Sequence, residues 1–350
     1  MRCLLKRQTL LAVLLGLALF LLPSLYPTDA SIMTLSALAA LNGIRMGTAV
    51  SFPALQQDER YRDVLAREFR QLTPENEMKF SRLHPEPERY DFDKADTLVN
   101  FADTHGIMVR GHTLVWHSQI PDWVKAARSR DAAIALLRNH IQTVVGHYRG
   151  QVMAWDVVNE AIADSGRLRD TVWLRQIGPD YIGMAFRWAH AADPNARLFY
   201  NDYGGEGLGR KSEAIYRLVS SLVEKDIPID GVGLQMHLSL QNAPDASDVA
   251  TNLQRLGELG LETHITEMDV RLALPASEQD RLAQADLFRT MLSTCIAADS
   301  CSNFTTWGFT DRYSWIPHRY KDFGAALLFD RDYQPKMAYA AMLEALDPET

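Results

Sequence analysis

Apolar runs of four to seven residues recur along the chain, and longer stretches with helical spacing lie between them. The runs are 44–50, 70–73, 108–114, 152–158, 197–200, 231–236, 262–266 and 304–308. In 131–148, Ile134, Leu137, Ile141, Val144 and Val145 return every three or four residues, which predicts an amphipathic helix. Stretches 212–225, 278–297 and 336–345 read the same way. Eight strand–helix units predict one (β/α)8 TIM barrel over residues 31–350. Continuous apolar strands suit a parallel sheet covered on both faces. The competing fold is an open doubly wound sheet. It usually carries a glycine-rich phosphate turn after its first strand, and Gly47-Thr48-Ala49-Val50 is not one.

The polar residues fall in a pattern. Glu75 and Asn76 follow the second run, and His112, Trp116 and His117 end the third. Asn159-Glu160 ends the fourth, Asn201-Asp202-Tyr203 the fifth, Gln235 and His237 the sixth. Glu267 and Asp269 end the seventh, and Trp307 the eighth. In a barrel all these ends meet at one mouth, where the active sites of this fold lie.

Composition adds limits. The 350 residues are 47% apolar and 23% charged, an ordinary globular balance able to bury a large core. The net charge of −8 and absence of a basic patch give no support to nucleic-acid binding. The first 30 residues differ: Arg2, Lys6 and Arg7 precede the apolar run 10–22, and small residues follow near position 30. This predicts a cleaved signal peptide, 1–30, and a secreted or periplasmic chain; an uncleaved anchor is the alternative. Cys295 and Cys301 remain, an even pair that suits a small-loop disulfide, with two free thiols as the alternative.

Two glutamates at one mouth point to glycoside hydrolysis. Acetal cleavage needs a proton donor at the leaving oxygen and a carboxylate at the oxocarbenium-like carbon. A lone strand-end glutamate is more often a cap or a surface ion pair; two among histidines and tryptophans are not. Trp116, Trp307 and Trp315 suit stacking on sugar faces. Asn76, Lys79, Asn159 and Gln235 suit hydroxyls. Gln235 and His237 share a strand face by the two-residue period, as do Glu267 and Asp269. His237 would then hold Glu267 ionised, with Asp269 supporting the ring. A metal site built on His112, His117 and His237 is the rival, but their spacing does not favour it.

These motifs resemble a known family. WDVVNEA, ITEMDV, TPENEMKF, GHTLVWHSQIPDW, YNDY and TTWGFTDRYSWIP are similar to glycoside hydrolase family 10, over residues 46–339. The resemblance implies a retaining endo-β-1,4-xylanase acting on xylan and xylo-oligosaccharides, without metal or organic cofactor and monomeric by default. It implies Glu160 as acid/base and Glu267 as nucleophile. Asn159 would bond the 2-hydroxyl at the cleavage point. Glu75, Asn76 and Lys79 would grip the non-reducing-side sugars, with Gln119 as a further contact there. His112 and Trp116 would wall the −1 subsite, Gln235 and His237 flank the nucleophile, Trp307 lie under the sugar and Trp315 act as a lid. Cys295 and Cys301 match a loop disulfide. A non-catalytic sugar binder and a hydrolase of β-1,4-glucan or of a bacterial exopolysaccharide are the alternatives. The pocket that would exclude a CH₂OH group is not visible in the sequence.

Overall fold

The computed structural model describes residues 34–126 and 129–347. The expected signal peptide lies outside them. Eight parallel strands close into a barrel: Arg45–Val50, Gln71–Pro74, Met108–Val115, Val152–Asn159, Arg197–Asp202, Gly231–Leu234, Glu262–Ala273 and Cys301–Thr306. Each pairs with the next, and the eighth pairs with the first. Closure leaves no barrel edge unpaired. Among the described residues, no helix is long and apolar enough to cross a membrane.

The helices form the outer layer. Arg130–His147 buries Leu137, Ile141, Val144 and Val145, the face read from the sequence, while Ile134 is only half-buried. Glu278–Ile296 starts at a capping box, in which Ser277 and Asp280 each satisfy the other's backbone N–H. Cys295 and Cys301 form a disulfide with Cα atoms 5.3 Å apart. It ties the end of this helix to the start of the eighth strand, and such a short loop is worth about 2 kcal/mol on chain-entropy grounds. The first and last described helices also meet the barrel wall together. Asn42 Nδ2 donates to Leu346 O at 2.9 Å, and buried Glu68 accepts from Leu35 N and Tyr339 Oη.

Five strands lie within two residues of the runs read from the sequence, and the other three differ for a structural reason. The eighth strand is 301–306 rather than 304–308. Its start is polar, but Asn303 faces inward, donating to Gln71 Oε1 at 2.6 Å, while Gln71 donates to Thr305 Oγ1. This ring crowds the first strand, where a Cβ on Gly47 would lie 2.4 Å from Thr305 Oγ1. The seventh strand runs on to Ala273, because its upper half pairs with two short strands, His237–Ser239 and Phe323–Gly324. The sixth strand stops at Leu234, and the chain turns at Met236 (φ 64°). Gln235 and His237 therefore do not share one strand face as expected; a left-handed residue separates them.

The barrel axis is polar, which the apolar reading of the strands does not anticipate. Arg110 is fully buried and donates Nε to both oxygens of Asp156 at 3.1 Å. Its Nη2 makes a further bond to Asp156. Its Nη1 lies 2.9 Å from His264 Nδ1. A guanidinium only donates, so Nδ1 accepts and His264 is neutral. Burial, reinforced by the Arg110 charge against the pull of Glu262, lowers its pKa to about 4. Outside the barrel, His140 is fully buried and stacked 3.6 Å from Phe80. Neither of its ring nitrogens has a hydrogen-bond partner among the described residues. Burial, then the neighbouring His84, holds its pKa well below the usual value.

Both histidines are neutral when folded and take up a proton near pH 6.5 when unfolded. Stability is therefore full above about pH 6.5 and falls as pH drops below it, by about 1.4 kcal/mol per pH unit for each ring. His140→Phe should narrow the loss between pH 7 and pH 5 by about 2 kcal/mol in denaturant unfolding. An unchanged loss would mean that His140 is protonated in the fold.

Candidate active site

Glu267 lies midway along the seventh strand and is 4% exposed. Asp269 stands two residues on, and His237 pairs with it in strand register. His237 Nε2 is 3.0 Å from Glu267 Oε2, and Nδ1 is 3.0 Å from Asp269 Oδ2. Both acceptors are carboxylates, so both nitrogens donate and the ring carries a charge. Burial opposes that charge, but Asp269 and Glu267 outweigh it, and the His237 pKa stands well above the usual value. For Glu267, burial alone would raise the pKa. The bond from His237 and the nearby His112 overcome it, and the carboxyl sits below the ordinary glutamate range. Asn201 Nδ2 adds a bond to Glu267 Oε1 at 2.7 Å, its own orientation fixed by Thr266 Oγ1.

Glu160 is held differently. It follows the fourth strand with φ 56°, a left-handed conformation uncommon outside glycine. Its N–H donates to Asn201 O at 2.8 Å, and its carbonyl accepts from Arg169 Nε at 2.9 Å. These two bonds hold the turn. Gln235 Nε2 donates to Glu160 Oε1 at 3.2 Å, and His117 Nδ1 lies 3.6 Å from Oε2. The Asn159 amide lies between the two glutamates, within 2.9 Å of Asn201 Nδ2 and 3.2 Å of both Gln235 Nε2 and Trp116 Nε1. Asn201, Asn159 and Gln235 thus connect the surroundings of Glu267 to Glu160.

On the other side, Lys79 and Gln119 both donate to Asn76 Oδ1, at 3.2 and 3.4 Å. Lys79 Nζ stands 5.2 Å from the Trp116 ring and 5.8 Å from that of Trp307. Burial lowers its pKa against the pull of Glu267 and Glu75. Burial raises that of Glu75, against Lys79. His112 Nδ1 bonds Asp156 Oδ2 at 2.9 Å, and its ring meets Trp307 edge-on at 5.2 Å. Trp315 Nε1 donates to Asp269 Oδ2 at 2.7 Å, and its ring is 5.0 Å from His237.

The residues expected from the sequence are thus joined in one connected set of side-chain contacts. The histidines are committed to carboxylates, His112 to Asp156 and His237 to Glu267 and Asp269. Among the described residues no group of His, Cys, Asp and Glu is arranged to hold a metal ion. The sequence reading assigned no role to Asn201, although it placed Asn201-Asp202-Tyr203 at the mouth. It also left out the wall behind Glu160. There buried Asp202 accepts from Tyr200 Oη and from Lys211 Nζ at 3.0 Å. Burial pushes its pKa up to about 7, with Lys211 pulling the other way. Arg169 Nη2 donates to Tyr203 Oη, and Lys211 sits 3.3 Å from the Tyr203 ring centroid. Arg169 and Lys211 lie in a loop and at a helix start, where no spacing singles them out.

Comparison with known proteins agrees with this geometry. The profile of Glycosyl hydrolase family 10 matches residues 34–345. Endo-1,4-beta-xylanase B of Thermotoga neapolitana is 43% identical over 317 residues, covering 89% of this chain and 91% of its own. An endo-1,4-beta-xylanase of Agaricus bisporus is 39% identical over 332 residues, covering 94% and 98%. Among solved structures, native xylanase 10B of Thermotoga maritima superposes with a TM-score of 0.88 at 43% identity, over 90% of this chain and 98% of that one. Xylanase 10B of Thermotoga petrophila in complex with xylobiose gives the same values. With the profile spanning nearly all the described residues and relatives well above 30% identity, the chain belongs to glycosyl hydrolase family 10.

Proposed function

We propose that the chain is an endo-1,4-β-xylanase that cleaves internal bonds of xylan with retention, using Glu267 as nucleophile and Glu160 as acid/base. The observation that carries this is the unequal setting of the two glutamates. Glu267 is buried against a charged His237 and held ionised, whereas Glu160 meets a neutral amide donor in Gln235 and a more distant His117. The named relatives and the xylobiose complex support the substrate class.

In the first step Glu267 attacks the anomeric carbon and Glu160 protonates the departing oxygen. His237 keeps the nucleophile free of its own proton. Water, deprotonated by Glu160, then releases the glycosyl-enzyme. Once Glu267 is esterified its charge is gone, and the change of role at Glu160 no longer meets a neighbouring anion. The Asn159 amide, 3.5 Å from Glu160 Oε1 and bonded to Asn201, would bond the 2-hydroxyl at the cleavage point. Asn76, Lys79 and Gln119 form a second polar cluster suited to the adjoining non-reducing-side sugar, with Glu75 beside it. We further propose that the chain is exported after loss of residues 1–30 and works as a monomer.

Glu267→Gln should abolish release of reducing sugar from xylan while leaving the thermal midpoint near that of the parent; near-normal turnover would end the nucleophile assignment. Glu160→Ala should slow xylan cleavage about 10²–10⁴-fold. It should leave the first step fast on an aryl xyloside with a good leaving group, so that a burst of phenol precedes slow turnover. Equal loss on both substrates would count against the acid role. His237→Asn removes the charged donor from buried Glu267, whose pKa then rises. The acid limb of kcat/KM should move up by about one pH unit or more, and an unmoved limb would contradict the coupling.

A further inference from the structure

Asp269 is fully buried, and two donors reach its side chain from different elements. His237 Nδ1 meets Oδ2 at 3.0 Å from the short strand alongside. Trp315 Nε1 meets the same oxygen at 2.7 Å from the loop that follows the eighth strand. The other oxygen, Oδ1, is buried and has no hydrogen-bond partner among the described residues. A half-buried indole N–H needs an acceptor. Here it bonds the one oxygen that already takes the imidazole N–H, while Oδ1 takes none. The loop is docked on the same side of the upper seventh strand, because Asp269 and Arg271 share a face by the two-residue period. Arg271 donates to Leu238 O and lies 4.4 Å from the Tyr320 ring centroid. Tyr320 meets Trp315 edge-on at 5.8 Å, and Trp315 meets His237 edge-on at 5.0 Å.

A buried carboxylate oxygen shared by two donors divides its negative charge between them. While the indole N–H takes part of that charge, the Nδ1 proton stays on the ring and His237 faces Glu267 as a cation. Without the indole, Oδ2 draws the Nδ1 proton harder, and the ring brings less positive charge to Glu267. We propose that Trp315 is a positioning residue for Glu267: its indole N–H, bonded to Asp269, sets how much positive charge His237 presents to that carboxylate. The inference rests on the reading of Glu267 as nucleophile and gives Trp315 a role besides that of a wall for the sugar. Other charged groups act nearby. His112 and Asp156 act on Glu267 from the third and fourth strands, and Lys79 from the segment after the second. Glu75 lines the cavity beside Trp315, and Arg271, His318 and Arg319 lie on the elements around the loop. Among the described residues, none of these is bonded to the Asp269 carboxylate, so the path from the loop to Glu267 runs through His237.

The test removes the N–H and keeps the ring. Trp315 is replaced by benzothienylalanine, in which sulfur stands where the N–H was, and separately by phenylalanine (Trp315→Phe). The readout is the pH dependence of kcat/KM on xylohexaose. In both variants the acid limb should move up by about half a pH unit, less than His237→Asn moves it. In the His237→Asn background the same replacements should move it no further, because the charge they act through is gone. A stacking role alone predicts a changed KM in Trp315→Phe and an unmoved limb in the benzothienyl variant. That unmoved limb would overturn the coupling and leave Glu267 as nucleophile. A full second shift on top of His237→Asn would overturn it as well. If Glu267→Gln still cut xylohexaose, the nucleophile reading would fall and this inference with it.

Discussion

The buried carboxylate of Asp156 is the constraint on which the architecture rests. It sits at the barrel axis, 1% exposed, and takes hydrogen bonds from Arg110 and from His112. Each charge there is affordable only because the other is present; removing one partner of such a pair costs about 3–5 kcal/mol. The pair fixes the interior in both directions. Above it, His112 is held by Asp156 and presents its ring to Trp307 and its field to Glu267. Below it, Arg110 requires an acceptor and keeps His264 neutral. The lumen is therefore a column of reciprocal donors and acceptors, and the apolar surface of the strands is turned outward to the helices. Trp155, fully buried, shows the tightness of that packing: a Cβ on Gly111 would lie 2.2 Å from its ring.

The site inherits this order. Two glutamates of the same intrinsic acidity receive different neighbours because their strands deliver different groups. The short strand His237–Ser239, displaced by the turn at Met236, lies alongside the upper seventh strand and puts a charged imidazole against Glu267. The fourth strand ends in a left-handed Glu160, whose N–H still bonds Asn201 O of the neighbouring fifth strand while its carbonyl turns to Arg169. Asn201 serves both, through its carbonyl to Glu160 N–H and its amide to Glu267. The two glutamates are thus positioned by one shared residue while their electrostatic settings stay distinct.

This division also explains what the sequence could and could not reveal. Strands with outward apolar faces announce themselves by composition, so the barrel and the mouth were legible, and so was the placing of Glu75 and Asn159-Glu160 at strand ends, whereas Glu267 stands midway along its longer strand. The eighth strand was misplaced because its inward residues, Asn303 and Thr305, look like loop until Gln71 is seen opposite them. Gln235 and His237 reach the expected glutamates by a broken strand, which a two-residue period cannot encode. Arg169, which bonds the Glu160 carbonyl, and the Lys211–Asp202 pair come from three separate elements. Their meaning lies in a meeting that depends on closure of the whole barrel.

The same logic separates the centre of the cleft from its far end. At the centre every charge is paired or buried, and geometry is fixed by bonds of 2.7 to 3.2 Å. Toward Arg82 and Arg319 the side chains are exposed and their charges meet water. Exposed charges select weakly but over a distance, whereas the buried network acts only on a sugar already seated. A site graded in this way keeps the two carboxyls at its centre in a setting that charges at its rim, screened by water and salt, barely alter.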